Sequence, residues 1–181
     1  MRALLIDCET TGLSLNRTVA DAWRPKIVEF HGSLLELSPE GSEIVTELDT
    51  LIRPRGSIDE TSKATEITGI TNETLREAPP IEVVFPKIKK LIEESPMVIA
   101  HNVSFDREVL DVEAERLRQT IHWPRVLCTV EQTQHIRGYR LSLSDLHEEF
   151  FGEKFAGAHR ARVDVAALAR IVCEMIRRDL L

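Results

Sequence analysis

The sequence predicts an α/β fold in which a mixed central sheet is flanked by helices. Three observations support this prediction: short apolar runs typical of buried strands, a turn sequence between two longer strand-like segments, and amphipathic helices among and after them. The predicted order is strand, hairpin, helix, strand, helix, strand and further helices. With 181 residues, 43% of them hydrophobic, the chain is long enough for one domain with a substantial core, and we expect residues 1–181 to form it.

The first three strands are predicted near the amino terminus. The apolar run at residues 4–6 is typical of a strand buried on both faces, and a Thr-Thr-Gly turn follows it. Residues 26–37 and 43–52 form the next two strands, and "SPEG" at 38–41 gives the turn chemistry of a hairpin between them. The polar connection at 14–24 precedes this hairpin, and its role cannot be read from the sequence.

Helical segments follow the hairpin. Residues 57–78 have a mixed pattern with two short helical turns, and Thr71 is the expected N-cap of the second. Pro86 is expected to begin a longer helix, because proline is favoured at the first helical position. The apolar face of that helix would consist of Ile88, Leu91 and Ile92.

The second half of the chain alternates strands with helices. "MVIA" at 97–100 and "RVLC" at 125–128 are predicted strands, and the amphipathic helix between them starts with Ser104 as its candidate cap. The remainder is predicted to be helical. The last helix carries an apolar stripe at i, i+3, i+4, i+7 and i+8: Leu168, Ile171, Val172, Met175 and Ile176.

Composition and charge exclude several classes of protein. Three cysteines without a CxxC pair argue against a disulfide framework or a zinc ribbon, and they favour a reducing, cytoplasmic setting. We expect no signal peptide, because the chain enters a strand and an acidic motif almost at once. We expect no membrane partner, because no apolar run approaches the roughly 20 residues of a membrane helix. The net charge of −7 disfavours a nucleic-acid partner at first sight. That inference weakens if carboxylates hold metal, because bound cations reverse the local field.

Acidic residues occupy positions where the strand and helix patterns require apolar ones. Asp7 and Glu9 are two apart in the first strand, so they project to one side while Cys8 points away. Two carboxylates held close repel each other, and a bound divalent cation is one reason to tolerate this. Asp106 and Asp164 share the apolar faces of their helices, near the N-terminal ends. Either one alone is more simply explained by helix capping or the helix dipole.

Taken together, the four acids predict a metal site that acts on phosphodiesters. Sites in α/β sheets form outside the carboxyl ends of strands, and carboxylates gathered there suit Mg²⁺ or Mn²⁺. Two such cations would clamp a phosphodiester and activate water. His159 lies five residues before Asp164, after the loop-like "FAGA". Histidine at this place could ligate a metal or accept a proton from the attacking water.

Three short motifs occur in order along nearly the whole chain. They are "DCETTG" at 7–12, "HNVSFD" at 101–106 and "HRARVD" at 159–164. Together they resemble the D-x-E-T-T-G, H-N-x-x-F-D and H-R-A-x-x-D motifs of the DnaQ-like, or DEDDh, 3′–5′ exonucleases. That family includes the epsilon proofreading subunits of bacterial replicative polymerases, RNase T and oligoribonuclease.

The resemblance implies an RNase H-like fold and a metal-dependent exonuclease that releases nucleoside 5′-monophosphates from the 3′ ends of single-stranded DNA or RNA. It implies that His159 is the general base, since the sister subclass has a tyrosine at the position of Arg160. It also implies two Mg²⁺ or Mn²⁺ ions, with Asp7 bridging them, held by Asp7, Glu9, Asp106 and Asp164.

Substrate contacts are implied in the same way. Thr10 would contact the terminal nucleotide, Leu13 would wedge against its base, and Phe105 would pack beside the terminal sugar. Asn102 would lie behind the metal ligands or face the substrate, and His101 is a weaker candidate for such a role.

Two segments allow a substrate role or a simpler one. The connection at 14–24 looks longer than the family usually carries, and its Trp23 and Arg24 could stack on and clasp a single strand or only anchor the loop. The basic-aromatic loop at 136–140 could follow a phosphate backbone or be a solvated turn.

Two other functions are compatible with these motifs. One is a non-catalytic binding module, which we rank low because degenerate relatives usually lose at least one of the acids. The other is a proofreading subunit that acts only within a polymerase. Such subunits carry an additional C-terminal segment, whereas this sequence ends at Leu181 after its last helix, so a stand-alone nuclease is expected. Neither a polymerase nor a homodimer partner can be read from the sequence, and the choice between DNA and RNA stays open.

Overall fold

The computed structural model describes residues 1–12 and 24–181. Its strands are β1 (Arg2–Thr10), β2 (Ile27–Ser38), β3 (Gly41–Leu51), β4 (Met97–Ala100) and β5 (Arg125–Cys128). They form one five-stranded sheet in the order β3-β2-β1-β4-β5. β2 pairs antiparallel with β1 and β3, while β1–β4 and β4–β5 are parallel. The mixed sheet and the hairpin are therefore confirmed.

The described helices connect the strands and cover both faces of the sheet. Their bounds are α1 (Lys63–Thr68), α2 (Asn72–Arg76), α3 (Ile81–Glu93), α4 (Val103–Arg116), α5 (Thr129–Arg137), α6 (Leu143–Phe151) and α7 (Ala161–Arg177). α3 and α4 pack on one face of the sheet, and α7 packs on the other. Among the described residues, no helix combines the length and the apolar character needed to cross a membrane.

β1 lies at the centre of the sheet and is buried on both faces, as predicted. Its side chains alternate between two cores: Leu4, Ile6 and Cys8 pack with α3 and α4, whereas Ala3 and Leu5 pack with α7. The same alternation directs the odd-numbered Asp7 and Glu9 to the α7 side. The pattern that buries β1 therefore also aims its two carboxylates.

The start of α3 differs from the prediction. Pro86 lies inside this helix, which begins at Ile81 after Pro80. Proline inside a helix costs about 3 kcal/mol because it cannot donate the backbone hydrogen bond. However, Ile81, Val84 and Phe85 extend the apolar stripe and are all buried, and each contributes about 1.5–3 kcal/mol. Burial of these three side chains outweighs the proline, so the predicted helix start was wrong.

The two predicted caps had different outcomes. Thr71 caps α2 through a capping box with Thr74, as predicted. Ser104 does not cap α4; that helix begins at Val103 after Asn102, whose φ of 69° is left-handed. Asparagine tolerates this conformation, and here it turns the chain sharply from β4 into the helix. The Ser104 hydroxyl instead donates to Asn102 Oδ1 at 3.2 Å.

α7 closes the fold and carries the predicted apolar stripe. Leu168 and Val172 face the sheet, while Ile171 and Met175 pack against α6. Ile176 is only partly buried. The helix is thus held on two sides, which fixes its first turn beside the end of β1.

Candidate active site

A cavity of about 270 Å³ lies at the carboxyl ends of β1 and β4, next to the first turns of α4 and α7. Because β1 and β4 are parallel, their carboxyl ends meet at one edge of the sheet. The cavity brings together the five residues predicted to be catalytic: Asp7, Glu9, Asp106, His159 and Asp164. A groove of about 300 Å³ between the β2–β3 hairpin and α7 is lined by a single carboxylate, Glu47, and lacks such a cluster.

Three of the carboxylates form a tight group. Asp7, Glu9 and Asp164 each offer one oxygen, and these oxygens all lie within 4.8 Å of one another. Asp164 is in the first turn of α7, and its Oδ2 accepts the backbone N–H of His159 at 2.8 Å. This hydrogen bond ties the loop before α7 to the acidic group.

Asp106 reaches the same cavity from α4. Its side chain is 3% exposed, and its Oδ1 accepts the backbone N–H of Cys8 at 3.0 Å. β1 extends past its pairing with β4, which leaves this N–H available to the aspartate. An acid on the apolar face of α4 is therefore tolerated because it satisfies a buried donor of the central strand.

The surroundings of the four carboxylates disfavour their ionised forms. Burial, with repulsion from Asp106 and Glu9, raises the pKa of Asp7 well above its ordinary value. Burial also raises the pKa of Glu9 and of Asp106 to about 7, and that of Asp164 in the same direction. A divalent cation would relieve both the desolvation and the repulsion. The oxygen-only ligand set fits Mg²⁺ or Mn²⁺.

The structure adds a partly buried ion pair that the sequence analysis missed. Glu29 on β2 is 4% exposed and lies opposite Glu9 in the β1–β2 register. Arg160 donates from Nε to both of its oxygens at 3.1 Å and from Nη2 at 2.7 Å. Ala161 adds its backbone N–H at 3.1 Å. The available signal was an acid between two apolar neighbours, Val28 and Phe30, in a predicted strand.

His159 lies at the mouth of the cavity. Its φ of 69° is left-handed, two residues after Gly157 with φ 80°, so the chain turns sharply before α7. The residue is exposed and lines the cavity. The geometry therefore gives the imidazole access to both water and the acidic group.

The predicted substrate-binding residues have different placements. Phe105 lines the cavity, whereas Thr10 and Asn102 lie next to residues that line it. Thr10 is buried and donates from Oγ1 to the carbonyl of Gly12 at 2.6 Å. Leu13 and residues 14–23, with Trp23, lie outside the described residues. Arg24 lies 3.6 Å from Glu115.

His101 lines the cavity but is engaged on both sides of its ring. Nε2 donates to the carbonyl of Leu141 at 3.0 Å, so Nδ1 is left to accept from the Thr129 hydroxyl at 2.9 Å. Burial lowers the pKa of His101 to about 4. The residue therefore connects β4 to the segment after α5 as a neutral side chain.

Comparison with known proteins gives consistent similarities. The exonuclease family model RNase T matches residues 4–172. The chain is 31% identical over 180 residues to the DNA polymerase III PolC-type of Caldanaerobacter subterraneus subsp. tengcongensis, covering 97% of this chain and 12% of that protein. The chain thus spans about an eighth of the length of that relative.

Two solved structures are similar over nearly the whole chain. Exonuclease X in complex with 5′ overhanging duplex DNA has a TM-score of 0.68 at 25% identity, covering 97% of this chain and 92% of that one. The nuclease domain of 3′hExo, a DEDDh family member bound to rAMP, has a TM-score of 0.74 at 18% identity, covering 98% and 92%. The second likeness concerns the fold alone, which agrees with the RNase H-like prediction.

Proposed function

The chain belongs to the RNase T family of DnaQ-like exonucleases, and from that premise we propose that it is a metal-dependent 3′–5′ exonuclease of the DEDDh type. In this proposal, residues 1–181 form one nuclease domain that removes nucleoside 5′-monophosphates from single-stranded DNA or RNA. The observation that carries the proposal is one cavity that is lined by four carboxylates and by His159. A cytoplasmic setting belongs to the same proposal, since the three cysteines are buried free thiols.

The carboxylates are the proposed metal ligands. Asp7, Glu9 and Asp164 would share the cations, and Asp106 would complete the set from α4. When bound, two Mg²⁺ or Mn²⁺ ions would neutralise the phosphodiester, activate water and stabilise the leaving oxygen. Burial and mutual repulsion of the carboxylates favour cation uptake, because a cation removes the cause of their raised pKa values.

His159 is the proposed general base. Its ring nitrogen accepts a proton from the attacking water, whose oxygen bonds to phosphorus as the bond to the 3′ oxygen breaks. The 3′ oxygen takes up a proton, and the released nucleotide keeps the phosphate on its 5′ oxygen. The hydrogen bond from the His159 backbone to Asp164 holds the base beside the metal ligands. In this proposal Phe105 packs against the terminal sugar, Thr10 contacts the terminal nucleotide, and Leu13 packs against the base of that nucleotide.

The similarity to a PolC-type polymerase favours a second candidate, in which this domain proofreads for a polymerase. The chemistry is the same in both cases, but the substrate differs. A proofreading domain would excise a mispaired 3′ terminus from a primer–template faster than a paired one. A stand-alone nuclease would favour free single strands over either duplex.

The deciding experiment is a time course on 5′-labelled single-stranded DNA and RNA of equal sequence with Mg²⁺ or Mn²⁺. We expect a ladder that shortens from the 3′ end and is lost in EDTA and in Asp164→Ala. The matched control is Asp179→Ala, an exposed aspartate after α7 that should keep full activity. Full activity of Asp164→Ala would contradict the site assignment. Metal binding by calorimetry without degradation of either strand would leave a non-catalytic binding module.

A further inference from the structure

The loop after α5 is fixed against the wall of the cavity. This rim loop, residues 138–142, is anchored where the Leu141 carbonyl accepts from His101 Nε2 at 3.0 Å. Its last residue, Ser142, lines the cavity and caps α6. The rim loop is therefore held in place at the edge of the proposed active site.

Arg140 projects from the rim loop toward the start of α4. Its Nη2 donates to Asn102 Oδ1 at 2.5 Å. Asn102 follows His101 directly and its carbonyl accepts the backbone N–H of Phe105 at 2.9 Å, and both of those neighbours line the cavity. Arg140 is thus one residue away from the cavity wall, although it is itself exposed.

The charge of Arg140 is available to a ligand. Arg160 and Arg162, at the start of α7, both form ion pairs with carboxylates on β2 or β3. Among residues 1–12 and 24–181, the side chain that accepts a hydrogen bond from Arg140 is a neutral amide, and no carboxylate lies within ion-pair distance of the guanidinium. Its charge also reaches the cavity wall: burial is the main cause of the lowered pKa of His101, and Arg140 adds to it.

A strand that ends in this cavity must cross its rim. At about 270 Å³ the cavity has room for little more than the terminal nucleotide, so the preceding phosphates lie outside it. The acids of the site repel these phosphates, and a cation at the rim offsets that repulsion. Arginine binds phosphate oxygens through its fork of N–H donors.

We infer that Arg140, oriented by Asn102, binds a phosphate of the substrate strand upstream of the scissile linkage. This inference rests on the proposed function and adds a position that holds the strand. Arg140 touches neither the reacting phosphate nor the metal ligands. Its contribution is therefore to affinity for strands that have an upstream phosphate, and not to the hydrolysis step.

The test compares Arg140→Ala with wild type on a dinucleotide and on 5′-labelled strands of three to ten nucleotides. We expect KM to rise roughly tenfold for the longer strands, with kcat unchanged and the dinucleotide unaffected. Arg137→Ala is the matched control, because this exposed arginine is paired with Glu149. Arg140→Lys should restore part of the affinity, since it keeps the charge but not the fork. An equal effect at every length, or none, would overturn the inference.

A second measurement locates the phosphate and does not depend on turnover. In the Asp164→Ala background, the binding of fluorescent single strands is measured with one linkage at a time replaced by an uncharged methylphosphonate. One upstream replacement should weaken binding in the Arg140 protein and have no further effect in Arg140→Ala. The salt dependence of binding should fall by about 0.7 in slope. If every methylphosphonate replacement and Arg140→Ala weaken binding additively, the contact between Arg140 and a phosphate is refuted. Because only binding is measured, this result does not depend on whether the protein hydrolyses the strand.

Discussion

Arg160 donates three hydrogen bonds to the carboxylate of Glu29, 131 residues earlier in the chain: two from Nε at 3.1 Å and one from Nη2 at 2.7 Å. Glu29 is opposite Glu9 in the sheet, and Arg160 is the N-cap residue of α7. The pair therefore joins β2 to the helix that carries Asp164. It therefore fixes the position of Asp164 on α7 relative to Asp7 and Glu9 on β1.

Removal of Arg160 should loosen this junction. Within residues 1–12 and 24–181, Arg160→Ala leaves the buried carboxylate of Glu29 with the backbone N–H of Ala161 as its one hydrogen-bond donor. Because the Arg160 side chain is half exposed, we expect a loss of about 1–3 kcal/mol in the free energy of unfolding, below that of a fully buried pair. The rate of hydrolysis should fall about tenfold or more as Asp164 shifts.

Urea unfolding and kcat measure the two effects. Arg177→Ala removes an exposed arginine that pairs with Glu174, so it is the matched control and should cost less than about 1 kcal/mol. Equal stabilities of the two variants would show that the Glu29–Arg160 pair does not hold α7 in place.

The sequence predicted the parts of the site that follow local rules. Period-2 alternation placed Asp7 and Glu9 on one side of β1, and helical spacing placed Asp106 and Asp164 on inward faces. The Glu29–Arg160 pair could not be predicted in this way, because it depends on how α7 packs across the sheet. The errors at Pro86 and Ser104 have a similar origin: tertiary burial and a left-handed Asn102 overrode local signals.

The metal-free protein should lose stability as the pH rises. The pKa of Glu9 is about 7 in the fold against an ordinary 4.5, so the folded state binds this proton more tightly. The stabilisation due to protonated Glu9 is fully present below about pH 4.5 and is lost as the pH rises from there through about 7. In EDTA at pH 8, Glu9→Gln should therefore be more stable than wild type by about 1–3 kcal/mol.

Urea unfolding at pH 6 and pH 8 tests this linkage. Mg²⁺ should restore wild-type stability at pH 8, since bound cations replace the protons. The control is Glu43→Gln, at an exposed position of β3, which should leave the free energy of unfolding unchanged at both pH 6 and pH 8. A wild-type protein equally stable at both pH values without metal would contradict the raised pKa.

His101 should make the pH dependence of stability opposite to that caused by Glu9. Its pKa is about 4 in the fold against an ordinary 6.5, so its contribution is present above pH 6.5 and is lost as the pH falls toward 4. We expect His101→Gln to flatten the acid limb of the stability curve between these values. His122→Gln, an exposed histidine, should leave that limb unchanged. Parallel acid limbs for wild type and His101→Gln would show that this histidine is not the cause.

His159 should be needed for turnover and not for the fold. Because the residue is exposed, His159→Gln should keep the melting temperature and the Mg²⁺ affinity of wild type. Loss of a general base lowers the rate about 10²–10⁴-fold, so kcat should fall in that range. Calorimetry measures the Mg²⁺ affinity, and single-turnover rates on a labelled strand measure the chemical step. His135→Gln, at an exposed histidine on α5, is the control.

The wild-type rate should also fall steeply from pH 8 to pH 5. Glu9 and Asp106, with pKa values of about 7 before metal binds, must lose their protons to hold a cation, and a base must be unprotonated to accept one. Saturating Mn²⁺ should move the metal-dependent part of this decline to lower pH. A rate that is flat from pH 5 to pH 8, or a His159→Gln variant with wild-type turnover, would remove His159 from the mechanism.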